Sequence, residues 1–222
     1  MKKSALILGA TGLVGRKLVH VLASMEEYSE LRLLLRRPGG FTSPKVKEYV
    51  IDMDQMDIHK EIFEVDDLFC CLGTTIKKAG SQEAFRKVDY SYPVQAAKLG
   101  LEKGAKQFLV ISSMGASKDS RFFYSRVKGE LEETLSEFPY ETTSIFRPSL
   151  LLGEREEFRV GEKIAEWITR PFSAILSGKL VKYAPVQGHI VAKAMAKTAL
   201  ETNRGLQVIE SDQIVRLGNM EV

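Results

Sequence analysis

Tyr124 and Lys128 stand four residues apart in the stretch Tyr124-Ser125-Arg126-Val127-Lys128, a spacing that stacks a phenol and an ammonium on one face of a helix. A free phenol titrates at about 10 and is a poor acid–base group at neutral pH; a neighbouring cation stabilises the phenolate and brings it into use. Eleven residues before the tyrosine, Ser113 follows Ser112 at the end of an apolar run over 107–111. A hydroxyl there would orient and polarise a carbonyl while Tyr124 delivers a proton to the developing alkoxide. Ser112 and Ser113 point to opposite faces if the strand continues through them, and Ser113 is taken as the catalytic one.

A second constellation is the turn Gly9-Ala10-Thr11-Gly12-Leu13-Val14-Gly15, spaced G-x-x-G-x-x-G between an apolar run at 5–8 and an amphipathic stretch at 13–25. Glycines at this point allow a tight turn, close backbone approach of a pyrophosphate, and a helix lying against its strand, while the first N–H groups of the helix receive phosphate. The pattern is that of a dinucleotide site. It is not an ATPase phosphate loop, because no G-x-x-x-x-G-K-[ST] can be written here. About 20 residues on, where a site selective for NAD places an acid on the ribose 2′-hydroxyl, the chain has Arg36 and Arg37. Two guanidinium groups suit a 2′-phosphate, so NADP(H) is expected over NAD(H). Asp52, at a later strand end, is in place to meet the adenine amino group, and Leu72-Gly73-Thr74 is where the backbone would pass beside the cofactor.

These groups need a scaffold that delivers them to one edge. Apolar runs at 5–8, 31–35, 46–51, 67–72, 107–111 and 142–146 read as strands, and helical periodicity appears at 13–25, where Val14, Leu18, Val21 and Leu22 share a face, and at 123–138. A long helical stretch over 82–103 should be kinked or split by Pro93. Strands without polar alternation, separated by helices, indicate a parallel sheet covered on both faces: an α/β, doubly wound Rossmann fold. Beyond Pro148 the pattern loosens into a small C-terminal cap over about 150–185, with a short helix at 162–168, followed by a helix at 189–200 and a closing strand at 206–209. Residues 1–222 are read as one domain.

Composition narrows the partners. The 222 residues are 44% hydrophobic and 27% charged, which excludes a disordered or collagen-like chain, and no apolar run reaches the length of a membrane span. A net charge of +3 argues against nucleic acid and anionic membranes and leaves a small-molecule substrate, with a protein partner as the alternative. Cys70 and Cys71 are adjacent on an apolar run and should face opposite sides of a strand as core packing in a reducing compartment. Met1-Lys2-Lys3 before an apolar stretch imitates a secretory signal, but the three-residue glycine repeat and the continuing amphipathic pattern favour a cytoplasmic protein. His20, His59 and His189 form no metal-ligand pattern, and no metal is expected. Phe158, Trp167, Phe172 and Tyr183 are candidates to line a substrate pocket in the cap.

The stretches GATGLVG, SSMGA and YSRVK resemble the short-chain dehydrogenase/reductase superfamily in its atypical branch. LFCCLGTT at 68–75, FRKVDYSYPVQAAKLG at 85–100 and FRPSLLLGEREEFRVGE at 146–162 are similar to the Tat-interacting-protein-type oxidoreductases, and the resemblance covers nearly the whole chain. It implies NADPH binding through Thr11, Gly12, Leu13 and Val14, then Arg36 and Arg37, Leu72 and Gly73, Tyr124 and Lys128, and Leu151 and Arg159. One position departs from the superfamily: where many members carry an asparagine on the long helix, this chain has Asp89, which puts a proton relay there in doubt. The implied activity is NADPH-dependent carbonyl reduction by Ser113, Tyr124 and Lys128. A sensor that only binds NADP(H), or an epimerase or dehydratase using the cofactor transiently, are the alternatives. About 70 residues outside the dinucleotide-binding part are few for a sugar-nucleotide enzyme.

Overall fold

Each apolar strand needs cover on both faces, and the chain supplies it by alternating strands with helices. The computed structural model describes residues 2–152, 183–201 and 203–220. Its main sheet has seven strands: β1 (Lys3–Leu8), β2 (Tyr28–Leu35), β3 (Val46–Val50), β4 (Asp67–Cys70), β5 (Gln107–Ile111), β6 (Thr142–Arg147) and, after a short parallel pair of β7 (Leu151–Leu152) and β8 (Val186–Gln187), β9 (Gly205–Glu210). The spatial order is β3-β2-β1-β4-β5-β6-β9, and every pair is parallel. The order reverses between β1 and β4, the switch point at whose carboxyl edge ligands of such sheets bind.

The helices are α1 (Leu13–Ser24), α2 (Ile76–Ala79), α3 (Gln82–Arg86), α4 (Tyr92–Glu102), α5 (Phe123–Ser136), α6 (Gly188–Thr198) and α7 (Ser211–Asn219). Side chains alternate across each strand, so Ile7, Phe69 and Leu109 pack on one face with Val14, Leu18, Val191 and Met195, bringing α1 and α6 together. Leu6, Leu68 and Phe108 pack on the other face with Ala96, Leu99, Leu131 and Leu135 of α4 and α5. Cys70 and Cys71 fall on opposite sides of the sheet, as the alternation requires. Burial pushes the Cys70 thiol up to about 11, and burial likewise raises Cys71. Neither cysteine of the folded protein should therefore be alkylated by iodoacetamide at about pH 7.5. Mass spectrometry before and after denaturation checks this, with rapid modification of the native protein as the contrary result.

Pro93 acts differently from a simple kink. It has no N–H, and its ring crowds the carbonyl four residues earlier, that of Asp89. The chain responds with a wider π turn over Lys87–Ser91, in which the Tyr92 N–H donates to the Lys87 carbonyl, and α4 resumes with the proline in its first turn. That turn buries Asp89 to 1% exposure.

Several boundaries differ from the sequence expectations. β4 ends at Cys70, so Leu72 and Gly73 lie in the loop beyond it, although the Cys71 N–H still donates to the Leu8 carbonyl at 2.9 Å. A 3-10 segment, Met53–Phe63, follows β3, and α7 follows β9; neither was expected. Of the expected cap, only its two ends are described; the helix at 162–168, Phe158, Trp167, Phe172 and Arg159 lie outside the described residues. Tyr183 is exposed.

Candidate active site

The glycine turn is shaped by contact as well as by conformation. Gly9 has φ +76°, and a Cβ there would lie 2.6 Å from the Cys71 carbonyl group. A Cβ on Gly15 would stand 2.2 Å from the Gly9 oxygen, so only glycine lets α1 settle onto the turn. Gly12 caps α1 without a side-chain hydrogen bond, its own N–H donating to the Gly9 carbonyl at 2.9 Å, and the first turn of α1 carries no acid. The leading N–H groups, at Leu13 and Val14, have no intrahelical acceptor and, with the helix dipole, form a seat for an anion. Thr11 is exposed beside them.

Arg36 and Arg37 are both exposed just past β2, and among the described residues neither pairs with a carboxylate. Asp52, after β3, accepts from the Asp54 N–H at 3.0 Å and so caps the 3-10 segment.

Where α1 begins, the carboxyl ends of the strands and α5 enclose a cavity. Leu13 and Val14 come from α1, Cys71 and Leu72 from the loop after β4, Ile111 and Ser112 from the end of β5, Tyr124 and Lys128 from α5, and Leu151 from β7. The anion seat and the tyrosine–lysine pair thus share one wall-to-wall space. The Tyr124 ring packs on Phe85 with centroids 5.7 Å apart. Lys128 is 3% exposed, and its Nζ lies 2.8 Å from Asp89 Oδ1. Asp89 Oδ2 accepts from the Thr74 N–H at 2.8 Å, tying the loop after Gly73 to the same carboxylate. Burial opposes a charge on Lys128, but Asp89, with Tyr124 and Cys70, outweighs it and holds the ammonium above its ordinary range.

The two serines separate. Ser112 lines the cavity and its hydroxyl donates to Glu132, a 7% exposed acid one turn beyond Lys128. Arg147 Nε reaches both Glu132 oxygens, at 3.1 and 3.2 Å, and its other arm reaches Glu210 at 3.0 Å. Hydrogen bonding to Glu132 raises the Arg147 guanidinium above its usual range. Ser113 does not line the cavity; its hydroxyl donates to the adjacent Met114 carbonyl at 3.2 Å.

Of the residues singled out in the sequence, the structure brings Leu13, Val14, Leu72, Tyr124, Lys128 and Leu151 into one space, and it adds Cys71, Ile111 and the Glu132–Arg147 support, which the sequence reading did not place there. The signal for Glu132 was present: 124, 128 and 132 form one stripe, and an acid between Leu131 and Leu135 on an inner helix face needs a partner.

A family of NAD(P)H-binding domains matches residues 9–145. The chain belongs to the NAD(P)H-binding family. This NAD(P)H-binding protein is 35% identical to the protein HTATIP2 of Rattus norvegicus, over 97% of the chain and 89% of the relative. It is 34% identical to the mitochondrial protein FMP52 of Candida albicans, over 97% and 98% respectively; the compartment in that name is that protein's own. Among solved structures, the oxidoreductase ylbE of Lactococcus lactis superposes with a TM-score of 0.66 at 15% identity, covering 96% of this chain and 95% of that one. MoeE5 in complex with UDP-glucose and NAD superposes at 0.67 and 16% identity, over 97% and 80%. These likenesses show a Rossmann-like fold, shared with solved oxidoreductases and with a short-chain dehydrogenase/reductase superfamily protein at 18% identity. Among the described residues no helix is long and apolar enough to cross a membrane.

Proposed function

We propose that the protein is an NADPH-dependent reductase of a small carbonyl compound. The observation that carries this reading is that the start of α1 and the Tyr124–Lys128 pair line the same cavity. The residues fit a dinucleotide: Gly9, Gly12 and Gly15 keep the turn free of side chains, and the N–H groups of Leu13 and Val14 take the pyrophosphate beside Thr11. Arg36 and Arg37 take the 2′-phosphate, Leu72 and Gly73 flank the nicotinamide half, and Leu151 closes the far wall; Arg159 is assigned by resemblance alone. When bound, NADPH supplies the hydride.

The chain's own groups do the rest. Tyr124 donates its phenolic proton to the carbonyl oxygen as negative charge grows there. Lys128, kept charged by Asp89, orients the tyrosine side of the cavity and meets the ribose. Ser112, on the cavity wall, donates its proton to Glu132, and Ser113 lies outside that lining with its hydroxyl on the Met114 carbonyl, so the carbonyl-fixing role of Ser113 rests on its spacing from Tyr124 alone. Leu13, Val14, Ile111 and Leu151 stand on the same lining as Ser112, Tyr124 and Lys128.

Consumption of NADPH with a panel of aldehydes and ketones tests the activity; tight binding with no consumption across the panel would make the protein a binder, and product without net oxidation would make it an epimerase or dehydratase. Cofactor choice has a separate test. In the Arg36→Ala/Arg37→Ala variant, the Kd for NADPH should rise about 10–100-fold while that for NADH changes less than about threefold. Equal wild-type affinities for NADPH and NADH would overturn the assignment of the two arginines.

A further inference from the structure

The cavity's cation has a counter-ion on a different helix, and that pairing has a consequence for redox state. Lys128 and Asp89 are 3% and 1% exposed, with 2.8 Å between Nζ and Oδ1. Around them stand Tyr124 from α5, Cys70 from β4 and the Thr74 N–H from the following loop, while Glu132, one turn on along α5, is taken up by Ser112 and Arg147. We infer that Asp89 sets the balance between oxidised and reduced dinucleotide in this cavity, by cancelling the charge of Lys128. This rests on the reading that the nicotinamide occupies the cavity.

The reasoning is electrostatic. An oxidised nicotinamide ring is a cation and a reduced one is neutral, so a bare ammonium in a water-poor wall would repel only the oxidised form. With Asp89 in contact, the pair is neutral from a distance and both forms are accepted. An asparagine at the same position could still accept the Thr74 N–H, and so hold the loop, but it could not cancel the charge. The carboxylate is therefore a positioning and charge-setting group, distinct from a structural one. It acts through Lys128 and need not touch the cofactor.

The test is a set of binding titrations of NADP+ and NADPH, with NAD+ and NADH in parallel, against the wild type and Asp89→Asn. At about pH 6.5 the ratio Kd(NADP+)/Kd(NADPH) should rise on the order of tenfold in the variant, the effect of one unit charge over roughly 10 Å at an effective dielectric near 20. The rise should fade toward about pH 9, because an unpaired buried ammonium loses its proton early. Lys128→Met, measured at about pH 9, should shift the ratio the opposite way; this variant decides the matter if Asp89→Asn does not fold. Ratios within about twofold of wild type in both variants, or equal weakening of both cofactor forms, would overturn the inference. A wild-type protein that binds no dinucleotide would instead overturn the functional reading beneath it.

Discussion

Tyr124→Phe is expected to lower kcat/KM for a carbonyl substrate by about 10²–10⁴-fold, the usual span for losing a general acid. The substitution removes one oxygen and keeps the ring that packs on Phe85, so the helix start and the cavity wall are retained. NADPH affinity should accordingly stay within about twofold, and thermal stability should not change measurably. The split matters: loss of turnover with retained binding assigns Tyr124 to chemistry, whereas parallel loss of both would assign it to the cavity's architecture. Wild-type turnover in this variant would remove Tyr124 from the mechanism.

Gly15→Ala should damage both fold and cofactor seat. The new Cβ would stand 2.2 Å from the Gly9 oxygen and 2.9 Å from the Ala10 Cα, both backbone atoms with no side-chain freedom to yield. α1 must back away from the turn, at a cost of about 1–3 kcal/mol or more, which for a chain of this size lowers Tm by roughly 2–4 °C per kcal/mol. Because the shift moves the leading N–H groups of α1, NADPH affinity should fall about tenfold or more. Gly104→Ala is the control. Gly104 has φ +86° with open space around it and lies at the opposite end of the sheet, before β5. It should lose about 1 kcal/mol to backbone strain and leave NADPH binding untouched. Equal cofactor affinity in Gly15→Ala and wild type would show that the third glycine serves packing alone.

The centre of the sheet was legible because β1, β4 and β5 are apolar runs without alternation, a pattern that cover on both faces explains, and the glycine turn was legible because it lies between such a strand and a helix. What escaped has physical causes. The 3-10 segment buries Met53, Met56, Ile62 and Phe63 at intervals that fit neither a strand nor an α-helix, so periodicity is silent there. α7 opens with a capping box whose cap is Glu210 rather than serine, threonine, asparagine or aspartate, so the usual start signal is missing. Pro93 announced a disturbance, but not that the disturbance would be a π turn that aims Asp89 at Lys128. The serine pair shows the limit of a sequence reading: one residue of register separates Ser112, on the cavity wall, from Ser113, outside its lining, and no neighbouring residue settles it.

The packing of α1 on α6 bears on the order in which the protein can be made. The glycine turn and α1 lie within residues 9–24, yet the apolar stripe of α1 also meets Val191, Ala192 and Met195, far along the chain, and Gly188 sits 3.0 Å, measured from where its Cβ would be, from the Leu13 side chain. β9, synthesised later still, pairs with β6. A nascent chain stopped short of α6 therefore has α1 covered by the sheet alone, with the flank that meets Val191, Ala192 and Met195 left open. Such long-range closure slows folding and leaves that side open to chaperones and to aggregation during synthesis. The cofactor seat is thus completed only when the segment at 188–198 packs back onto the helix at 13–24.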